Sequence, residues 1–326
     1  MHGLSLPPST TPSLFEAAHV AEVVKHHLLD IREAGRLRDL VQEISPEIIF
    51  HLAAQPLVRL SYREPAETFA VNAVGTANVL DAARQTGCRA VVVVTTDKVY
   101  QNREWIWPYR EDEPLGGHDP YSASKACAEL VAASFRSSYT DGPAIATARG
   151  GNIIGGGDWS EDRLIPDFVR AVVSGTSITL RNPAATRPWQ HVLALCHGYI
   201  TLAAALLETP EIAMRSWNFG PDPEDAIPVS RIVQRFEAVW KKIDTTYQKS
   251  DLHEAKSLSV DSTLARNVLG WLPAWNLDLS LQATAEWYRD VIDRKQDARM
   301  ACESQITSYV DAMLRNDESR TVQVLQ

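Results

Sequence analysis

The run Ala90-Val91-Val92-Val93-Val94 restricts the fold of this 326-residue chain more than any other feature. Five consecutive small or β-branched residues predict a strand buried on both faces, which is typical of a parallel sheet covered by helices. Strand and helix patterns alternate around this run, with strands predicted at 26–30, 47–52 and 144–148 and helices at 32–42, 65–86 and 121–138. The sequence therefore predicts an α/β fold with a doubly wound parallel sheet and right-handed crossovers.

The pattern changes after Asn152, where loops rich in glycine and proline separate short helices from isolated strands. A strand at 216–220 is predicted to return to the sheet, helices are predicted at 229–241, 262–269 and 279–294, and the polar end after 316 is predicted to fray. We therefore expect a sheet domain formed by 1–152 and 189–224, and a smaller mixed α/β lobe formed by 153–188 and 225–326.

The composition excludes several classes of function. Hydrophobic residues make up 45% of the chain and charged residues 22%, as in ordinary globular proteins. A net charge of −9 argues against sequence-independent binding of nucleic acid, which requires clustered Lys and Arg. Neither a membrane span nor a signal peptide is recognisable, so we expect a cytoplasmic protein. The scattered cysteines predict reduced thiols, and neither they nor the histidines have the spacing of metal ligands, so no metal is expected.

Tyr121 and Lys125 are four residues apart, so that a helix places both side chains on one face. Thr96 follows the buried strand, and a strand end beside a helix start is where open α/β sheets place their chemistry. Tyrosine normally titrates near 10, and we expect Lys125 to lower that pKa by about 3, which requires roughly 4 kcal/mol. The phenolate would accept a proton from a sugar hydroxyl that Thr96 holds by a hydrogen bond. The alternative is an unrelated surface Tyr and Lys at helical spacing.

Asp97 and Lys98 follow Thr96 directly, and a simple dehydrogenase needs no carboxylate at that position. Oxidation of a hydroxyl to a ketone acidifies the neighbouring C–H bond, so an added acid and base indicate a second step, the elimination of water. Asp97 as the acid and Lys98 as the base is the natural assignment, although the residues leave the reverse open. A further alternative is that the two side chains only cap the strand end and pair with each other.

These motifs belong to a longer set that resembles the extended short-chain dehydrogenase/reductases of the NAD-dependent epimerase/dehydratase family, and among them the CDP-glucose 4,6-dehydratases. The matching segments span nearly the whole chain, at 51–62, 95–105, 116–125, 152–159, 163–166, 181–183, 187–192, 217–221 and 269–271. Lys98 is a point of distinction, because dTDP-glucose dehydratases usually carry Asp-Glu where this chain has Asp97 and Lys98. The resemblance implies a Rossmann-like sheet domain that binds a dinucleotide and a smaller lobe that binds a sugar nucleotide.

The resemblance implies NAD as a redox shuttle that is regenerated in each cycle. CDP-glucose would be oxidised at C4, lose water across C5–C6 and regain hydride at C6 to form CDP-4-keto-6-deoxyglucose. The implied catalytic residues are Thr96, Asp97, Lys98, Tyr121 and Lys125. The implied cofactor contacts are Asp30 and Ile31 near adenine, followed by Leu52, Ala53, Ala54, Gln55, Thr95, Tyr121 and Lys125.

A sugar nucleotide needs cations for its diphosphate and a flat apolar wall for its base. Arg187 lies beside Trp189 and His191 and supplies charge next to such a surface, since a guanidinium binds phosphate bidentately. The alternative for any arginine is a surface ion pair. The remaining predicted substrate contacts are Arg59, which follows a strand end, and the family-like positions Asn152, Leu164, Ile165 and Pro166.

The extended family begins with a strand, a Gly-x-x-Gly-x-x-Gly turn and a helix, and no such turn precedes the first strand pattern of this chain. That turn lets backbone amides and a helix N-terminus bind the pyrophosphate. The missing strand would be central in the sheet, and residues 2–6 are interpreted as a remnant of the second strand.

Several alternatives remain open at this point. The chain is either a working enzyme, or one whose start lies upstream, or a truncated and catalytically silent homologue. The other enzymes to consider are another nucleotide-sugar 4,6-dehydratase and a 4-epimerase, and Asp97 with Lys98 argues against the epimerase. The resemblance also implies a homodimer or homotetramer, formed through a helix pair that includes the Tyr121 helix, with no nucleic-acid or membrane partner.

Overall fold

The computed structural model describes residues 1–248 and 258–324. Strands alternate with helices in the first half of the described chain. Its elements are β1 (His2–Ser5), α1 (Leu14–Ala17), a 3-10 turn (Val20–Glu22), β2 (Lys25–Leu28), α2 (Ala34–Ile44), β3 (Ile48–His51), α3 (Val58–Arg63), α4 (Pro65–Phe69), a π-helical segment (Ala70–Val74), α5 (Gly75–Gln85), β4 (Ala90–Val94), a 3-10 turn (Asp97–Val99), α6 (Pro120–Ser138) and β5 (Ala144–Arg149).

The second half has shorter strands and longer helices. Its elements are β6 (Ile153–Ile154), α7 (Leu164–Ser174), β7 (Ile178–Leu180), β8 (Thr186–Pro188), β9 (Gln190–His191), α8 (Val192–Glu208), α9 (Pro210–Ala213), β10 (Ser216–Asn218), a 3-10 turn (Pro223–Asp225), β11 (Ala226–Pro228), α10 (Val229–Val239), β12 (Thr245–Tyr247), α11 (Thr263–Val268), α12 (Leu277–Ile292) and α13 (Ala298–Val324).

A parallel sheet with the strand order β10-β5-β4-β3 forms the centre of the fold. Alternate residues of β4 pack into two different hydrophobic clusters. Val92 packs with Leu195 on the face covered by α8, whereas Val91 packs with Leu80 and Ala132 on the face covered by α5 and α6. Helices therefore cover both faces of β4, which confirms the predicted Rossmann-like, doubly wound α/β fold.

β1 and β2 form a separate parallel sheet, in which His2 is opposite Lys25. Leu4 of β1 and Ile49 of β3 nevertheless pack against one buried cluster that contains Leu37 of α2. Within residues 1–248 and 258–324, no backbone pairing joins β1 or β2 to the four-stranded sheet. In the described residues, β1 and β2 thus form a sheet separate from the one that contains β3.

The rest of the chain builds a second hydrophobic core from α7, α10 and α12. Phe168, Phe236, Trp287 and Tyr288 are each at most 2% exposed and belong to one cluster. Three pairs of short strands, β6–β9, β7–β12 and β8–β11, complete the described secondary structure. The division of the chain into two domains stays a prediction.

Most predicted strands and helices are confirmed with small shifts at their ends. The predicted helix at 65–86 is instead composed of α4, the π-helical segment and α5. The long helices α8 and α13 had no sequence prediction, and α13 extends to Val324, past residue 316, after which the sequence predicted a frayed end. The four cysteines are free thiols. Among the helices of the described residues, none is long and apolar enough to cross a bilayer.

Candidate active site

The first turn of α6 is fixed by capping and by a contact from α3. Asp119 is the N-cap, and its carboxylate accepts hydrogen bonds from the Ser122 backbone N–H at 2.9 Å and the Ser122 hydroxyl at 2.6 Å. Pro120 occupies the first helical position, where a missing N–H is tolerated. The backbone N–H of Tyr121 donates to Ser61 Oγ at 3.1 Å. These contacts position the Tyr121 side chain.

The chain leaving β4 brings Thr96 to Tyr121. The Asp97 N–H donates to the Gly150 carbonyl at 3.2 Å, so the chain follows β5 beyond the end of β4. Thr96 is the N-cap of the 3-10 turn Asp97–Val99, and a side-chain hydrogen bond joins Thr96 to Tyr121. The fold therefore assembles the strand-end and helix-start residues that the sequence placed together.

A cavity of about 570 Å³ is formed over these residues. Its wall includes every predicted catalytic residue and most of the predicted substrate contacts. The predicted site residues that line it are Leu52, Ala54, Arg59, Thr95, Thr96, Asp97, Lys98, Tyr121, Lys125, Asn152, Leu164, Ile165, Pro166 and Arg187. Segments far apart in the sequence thus converge on one cavity.

The prediction that Lys125 lowers the pKa of Tyr121 was wrong. Lys125 Nζ instead donates to the Val94 carbonyl oxygen at 2.9 Å, at the end of β4. Burial raises the pKa of Tyr121 to about 12, although the hydrogen bond with Thr96 opposes this rise. Burial also lowers the pKa of Lys125 to about 8. Activation of the phenol as a base therefore requires positive charge from a group bound in the cavity.

Asp97 has the environment of a general acid. Its side chain is 1% exposed, and burial raises its pKa, while Lys98, Thr96 and Arg187 oppose the rise. The Thr96 hydroxyl donates to Asp97 Oδ1 at 3.0 Å, and Asn152 Nδ2 donates to Oδ2 at 3.5 Å. A buried carboxyl group with a raised pKa holds a proton closer to neutral pH than an exposed one.

The predicted cofactor residues divide into two groups. Leu52, Ala54, Thr95, Tyr121 and Lys125 line the cavity. The others have partners or packing elsewhere. Asp30 forms an ion pair with Arg32 at 2.6 Å, Ile31 and Ala53 pack in the cluster beneath α2, and the Gln55 side chain donates to Thr68 Oγ1 at 2.8 Å.

Three arginines line the cavity, and two of them share a carboxylate. Arg59 and Arg181 contact Asp162 at 3.6 Å and 2.6 Å, and all three residues line the cavity. Arg187 also lines it, and its charge acts on Asp97. Three guanidinium groups lining one cavity suit a phosphate-bearing ligand. The sequence analysis quoted the segment of Arg181 but did not predict this residue as a contact.

His191 does not join this wall. It is 2% exposed, its ring packs edge-on against Trp275 at a centroid distance of 5.0 Å, and burial lowers its pKa to about 4. Its Nδ1 accepts a hydrogen bond from the Leu193 N–H at 3.3 Å. The structure thus assigns His191 to the capping of α8 rather than to the predicted substrate wall.

Glu129 is a residue of this region that the sequence analysis missed. Its carboxylate is 2% exposed and accepts hydrogen bonds from Thr95 Oγ1 at 2.5 Å, Thr147 Oγ1 at 2.7 Å and Ser216 Oγ at 3.0 Å. Arg149 pairs with it at 2.8 Å through NH2 and at 3.0 Å through Nε. A signal was available, because Glu129 is the single acid of α6 and lies one helical turn after Lys125.

Known proteins with similar sequences include nucleotide-sugar dehydratases, in agreement with the geometry of the cavity. The sequence profile of the family described as GDP-mannose 4,6 dehydratase matches residues 11–284. A CDP-glucose 4,6-dehydratase from Salmonella typhimurium is 43% identical over 324 residues, covering 96% of this chain and 90% of that protein. A dTDP-glucose 4,6-dehydratase from Streptomyces griseus is 31% identical over 243 residues, covering 74% of this chain and 71% of that protein.

Solved structures share the fold. DesIV, a dTDP-glucose 4,6-dehydratase from Streptomyces venezuelae solved with NAD and TYD bound, has a TM-score of 0.68 at 26% identity and covers 81% of this chain and 80% of its own. MoeE5, solved with UDP-glucose and NAD, has a TM-score of 0.76 at 21% identity and covers 90% of this chain and 100% of its own. The chain therefore belongs to the NAD-dependent epimerase/dehydratase family of extended short-chain dehydrogenase/reductases.

Proposed function

We propose that this protein is a nucleotide-sugar 4,6-dehydratase that converts CDP-glucose to CDP-4-keto-6-deoxyglucose. The observation that carries the proposal is the buried carboxyl group of Asp97, whose pKa burial raises and which is hydrogen-bonded to Thr96 within the cavity that Tyr121 also lines. Oxidation and reduction at one carbon, as in a 4-epimerase, needs no such acid. Elimination of water does, because hydroxide is a poor leaving group until it is protonated.

NAD is the proposed cofactor, and the cavity residues fit one half of it. Tyr121 and Lys125 would hold the nicotinamide ribose, and Leu52, Ala54 and Thr95 would line the ring. Bound NAD would supply a hydride acceptor at C4 and a hydride donor at C6, together with the positive charge that stabilises a phenolate. The adenine half fits less well, because the Asp30 carboxylate is paired with Arg32.

Tyr121 is the proposed base of the oxidation. Its phenolate would take the O4 proton as hydride leaves C4, and the Thr96 hydroxyl would hold O4 in line. Lys125, anchored on the Val94 carbonyl, would keep the first turns of α6 against the end of β4. Its pKa of about 8 keeps much of its positive charge present at neutral pH.

Asp97 and Lys98 are the proposed acid and base of the elimination. Lys98 would take the proton from C5, which the C4 ketone has acidified, and Asp97 would protonate the O6 hydroxyl so that water departs. Lys98 would then return its proton to C5 as hydride reaches C6. The C4 ketone is kept, and the net change is the loss of one water from the substrate.

The identity of the nucleotide rests on the 43% identical CDP-glucose 4,6-dehydratase, with which this chain aligns over 96% of its length. Arg59, Arg181 and Arg187 would bind the diphosphate, and Asn152 with the start of α7 would border the hexose. A homodimer is proposed through α5 and α6, which pack against each other. Leu130 of α6 is 59% exposed, and Val74, at the end of the π-helical segment directly before α5, is 55% exposed.

To test this proposal, the protein is incubated with CDP-glucose and NAD, and the mass of the product is measured for the loss of one water. Tyr121→Phe should lower turnover by about 100- to 10,000-fold, the usual contribution of a general base. Asp97→Asn should still oxidise C4, so that reduced cofactor accumulates while no water is lost. Tyr247→Phe is the matched control, since Tyr247 is 69% exposed and is not one of the cavity residues. Conversion of CDP-glucose to a 4-epimer by the native chain would contradict the dehydratase assignment.

A further inference from the structure

Asp162 forms ion pairs with two arginines that line the cavity. Arg181 Nη2 is 2.6 Å from Asp162 Oδ1, and Arg59 Nη1 is 3.6 Å from the same oxygen atom. The two arginines come from distant parts of the chain, because Arg59 is in α3 and Arg181 directly follows β7. Two guanidinium groups that converge on one carboxylate oxygen define a position that suits an anion.

The ion pairs of Asp162 are open to exchange. The side chains of Arg59, Asp162 and Arg181 are partly exposed, and all three line the cavity, so a ligand in the cavity can reach them. Exposed ion pairs contribute only about 0–1 kcal/mol each, because water solvates the separated charges well. A ligand that offers the two arginines a better anion can therefore displace the Asp162 carboxylate.

The backbone around Asp162 is anchored on both sides of a short segment. Arg170 of α7 donates from Nη1 to the Trp159 carbonyl at 2.9 Å and from Nη2 to the Ser160 carbonyl at 3.0 Å. α7 itself begins at Leu164, two residues after Asp162. The φ angle of Asp162 is 59°, in the left-handed region that residues other than glycine adopt at an energetic cost. Withdrawal of the Asp162 side chain thus requires movement of the short segment between the anchors and not of α7.

We propose that the Asp162 carboxylate and a ligand phosphate compete for one position between Arg59 and Arg181, so that binding of a diphosphate displaces Asp162. Asp162 is then a specificity-determining residue, because a ligand must supply enough negative charge to replace it. A diphosphate carries more charge than one carboxylate and offers more acceptor oxygens to the guanidinium groups. The proposal rests on the proposed function for the class of ligand, a sugar nucleotide, but not for the reaction that follows.

The effect of removing the charge of Asp162 has opposite signs for competition and for a structural role. If Asp162 competes with phosphate, the loss of its charge strengthens the binding of a diphosphate. If Asp162 only holds the arginines in position, the same change weakens binding, because the guanidinium groups lose the partner that orients them. Asparagine has the same shape and still accepts a hydrogen bond, so Asp162→Asn changes mainly the charge.

The test measures the dissociation constants of CDP, inorganic pyrophosphate and cytidine by calorimetry on the full chain. We expect Asp162→Asn to bind CDP and pyrophosphate about 5- to 10-fold more tightly, the size expected for two partly exposed ion pairs. Cytidine has no phosphate and should bind as it does to the native chain. Asp222→Asn is the matched control, because Asp222 is also 2.6 Å from an arginine, Arg266, but is not among the described residues that line the cavity. It should leave all three constants unchanged.

A double-mutant cycle with Arg181→Met tests whether the effect passes through the arginines. Arg181→Met alone should weaken the binding of CDP, and Asp162→Asn should then strengthen it by less than it does in the native chain. An additive effect of the two substitutions would overturn the competition, as would weaker or unchanged binding of CDP by Asp162→Asn. An equal gain for cytidine, or no measurable binding of CDP and pyrophosphate to any variant, would also overturn it.

These readouts do not require turnover, so the two proposals can fail separately. Tighter binding of CDP and pyrophosphate by Asp162→Asn, together with a native chain that does not dehydrate CDP-glucose, would contradict the proposed function and support the competition. Dehydration of CDP-glucose by the native chain, together with weaker binding of CDP by Asp162→Asn, would support the proposed function and overturn the competition.

Discussion

Gly151 lies directly against the carboxyl group of Asp97. A Cβ atom at position 151 would be 2.0 Å from Asp97 Oδ2, so any larger residue must displace the acid. We predict that Gly151→Ala lowers the dehydration rate by about 100-fold, because a shift of about 1 Å in a catalytic group has an effect of this size. Product formation at saturating substrate is the measurement.

The control for this substitution is Gly35→Ala. No atom lies within 4 Å of the Cβ position there, and the glycine is in α2. We expect this variant to retain native turnover and native or slightly higher stability, since alanine is favoured over glycine in a helix. Native turnover by Gly151→Ala would show that Asp97 need not hold the position seen in the structure.

Burial of Lys125 makes the stability of the folded protein depend on pH. Its pKa is lowered from 10.5 to about 8 by burial, so the unfolded chain binds more protons than the folded chain between these values. Stability therefore rises with pH across that window, by roughly 3 kcal/mol from this group. Below pH 8 the burial penalty is fully present, and above about 10.5 it is absent.

We predict that the difference in unfolding free energy between the native chain and Lys125→Met increases from about pH 8 to about pH 10.5. Methionine occupies a similar volume and does not titrate, so the variant removes this group's contribution from the pH profile. Urea unfolding at fixed pH intervals measures the difference. A difference that stays constant with pH would show that the Lys125 ammonium is not buried in the folded state.

At the scale of elements, Glu129 joins α6 to three strands. Its carboxylate binds Thr95 beyond β4, Thr147 and Arg149 of β5, and Ser216 of β10. We predict that Glu129→Gln lowers the free energy of unfolding by about 3–5 kcal/mol, because Arg149 is left buried without a counter-charge. Arg149→Met should then lower the free energy of unfolding less in the Glu129→Gln variant than it does in the native chain.

Urea unfolding of the two single variants and the double variant measures this coupling. Glu303→Gln is the control, because its ion pair with Arg299 is exposed and such pairs contribute about 0–1 kcal/mol. Additive effects of Glu129→Gln and Arg149→Met would contradict a buried, mutually dependent pair.

Elements with a clear pattern were predictable, and those without one were not. β4 has a continuous β-branched run, and α6 has a proline start and a single apolar face. α8 is apolar around most of its circumference, and α13 is polar along most of its length, so neither shows an amphipathic stripe. The π-helical segment could not be predicted either, because it contains Asn72, whose hydrogen bonds are to residues distant in sequence. The Asn72 amide donates to Ser124 Oγ at 2.9 Å and to the Gln55 carbonyl at 3.1 Å.

At the scale of the whole molecule, a surface substitution can test the oligomeric state of the protein. Leu130 is 59% exposed at the middle of α6, on the helix predicted to form the dimer contact. We predict that Leu130→Arg converts a native dimer into a monomer, because a charge cannot be buried unpaired in an apolar interface. Light scattering coupled to gel filtration measures the mass.

Leu279→Arg is the matched control, since Leu279 has similar exposure, 48%, on a different helix, α12. It should leave the dimer intact. A native chain that stays monomeric at all concentrations, or a dimer that both variants leave unchanged, would contradict the proposed interface.

The sequence by itself determined the class of fold and the membership of the catalytic cluster. Strand ends, helix starts and i,i+4 spacing are short-range features, so Thr96, Asp97, Tyr121 and Lys125 could be grouped before any coordinates were known.

Only the tertiary structure decided what those groups experience. The raised pKa of Tyr121, the bond from Lys125 to Val94 and the burial of Glu129 with Arg149 depend on desolvation and on partners distant in sequence. The same holds for His191, whose neighbour Trp275 is remote along the chain. Sequence motifs identify the reacting groups, but burial and long-range packing determine their charges and their partners.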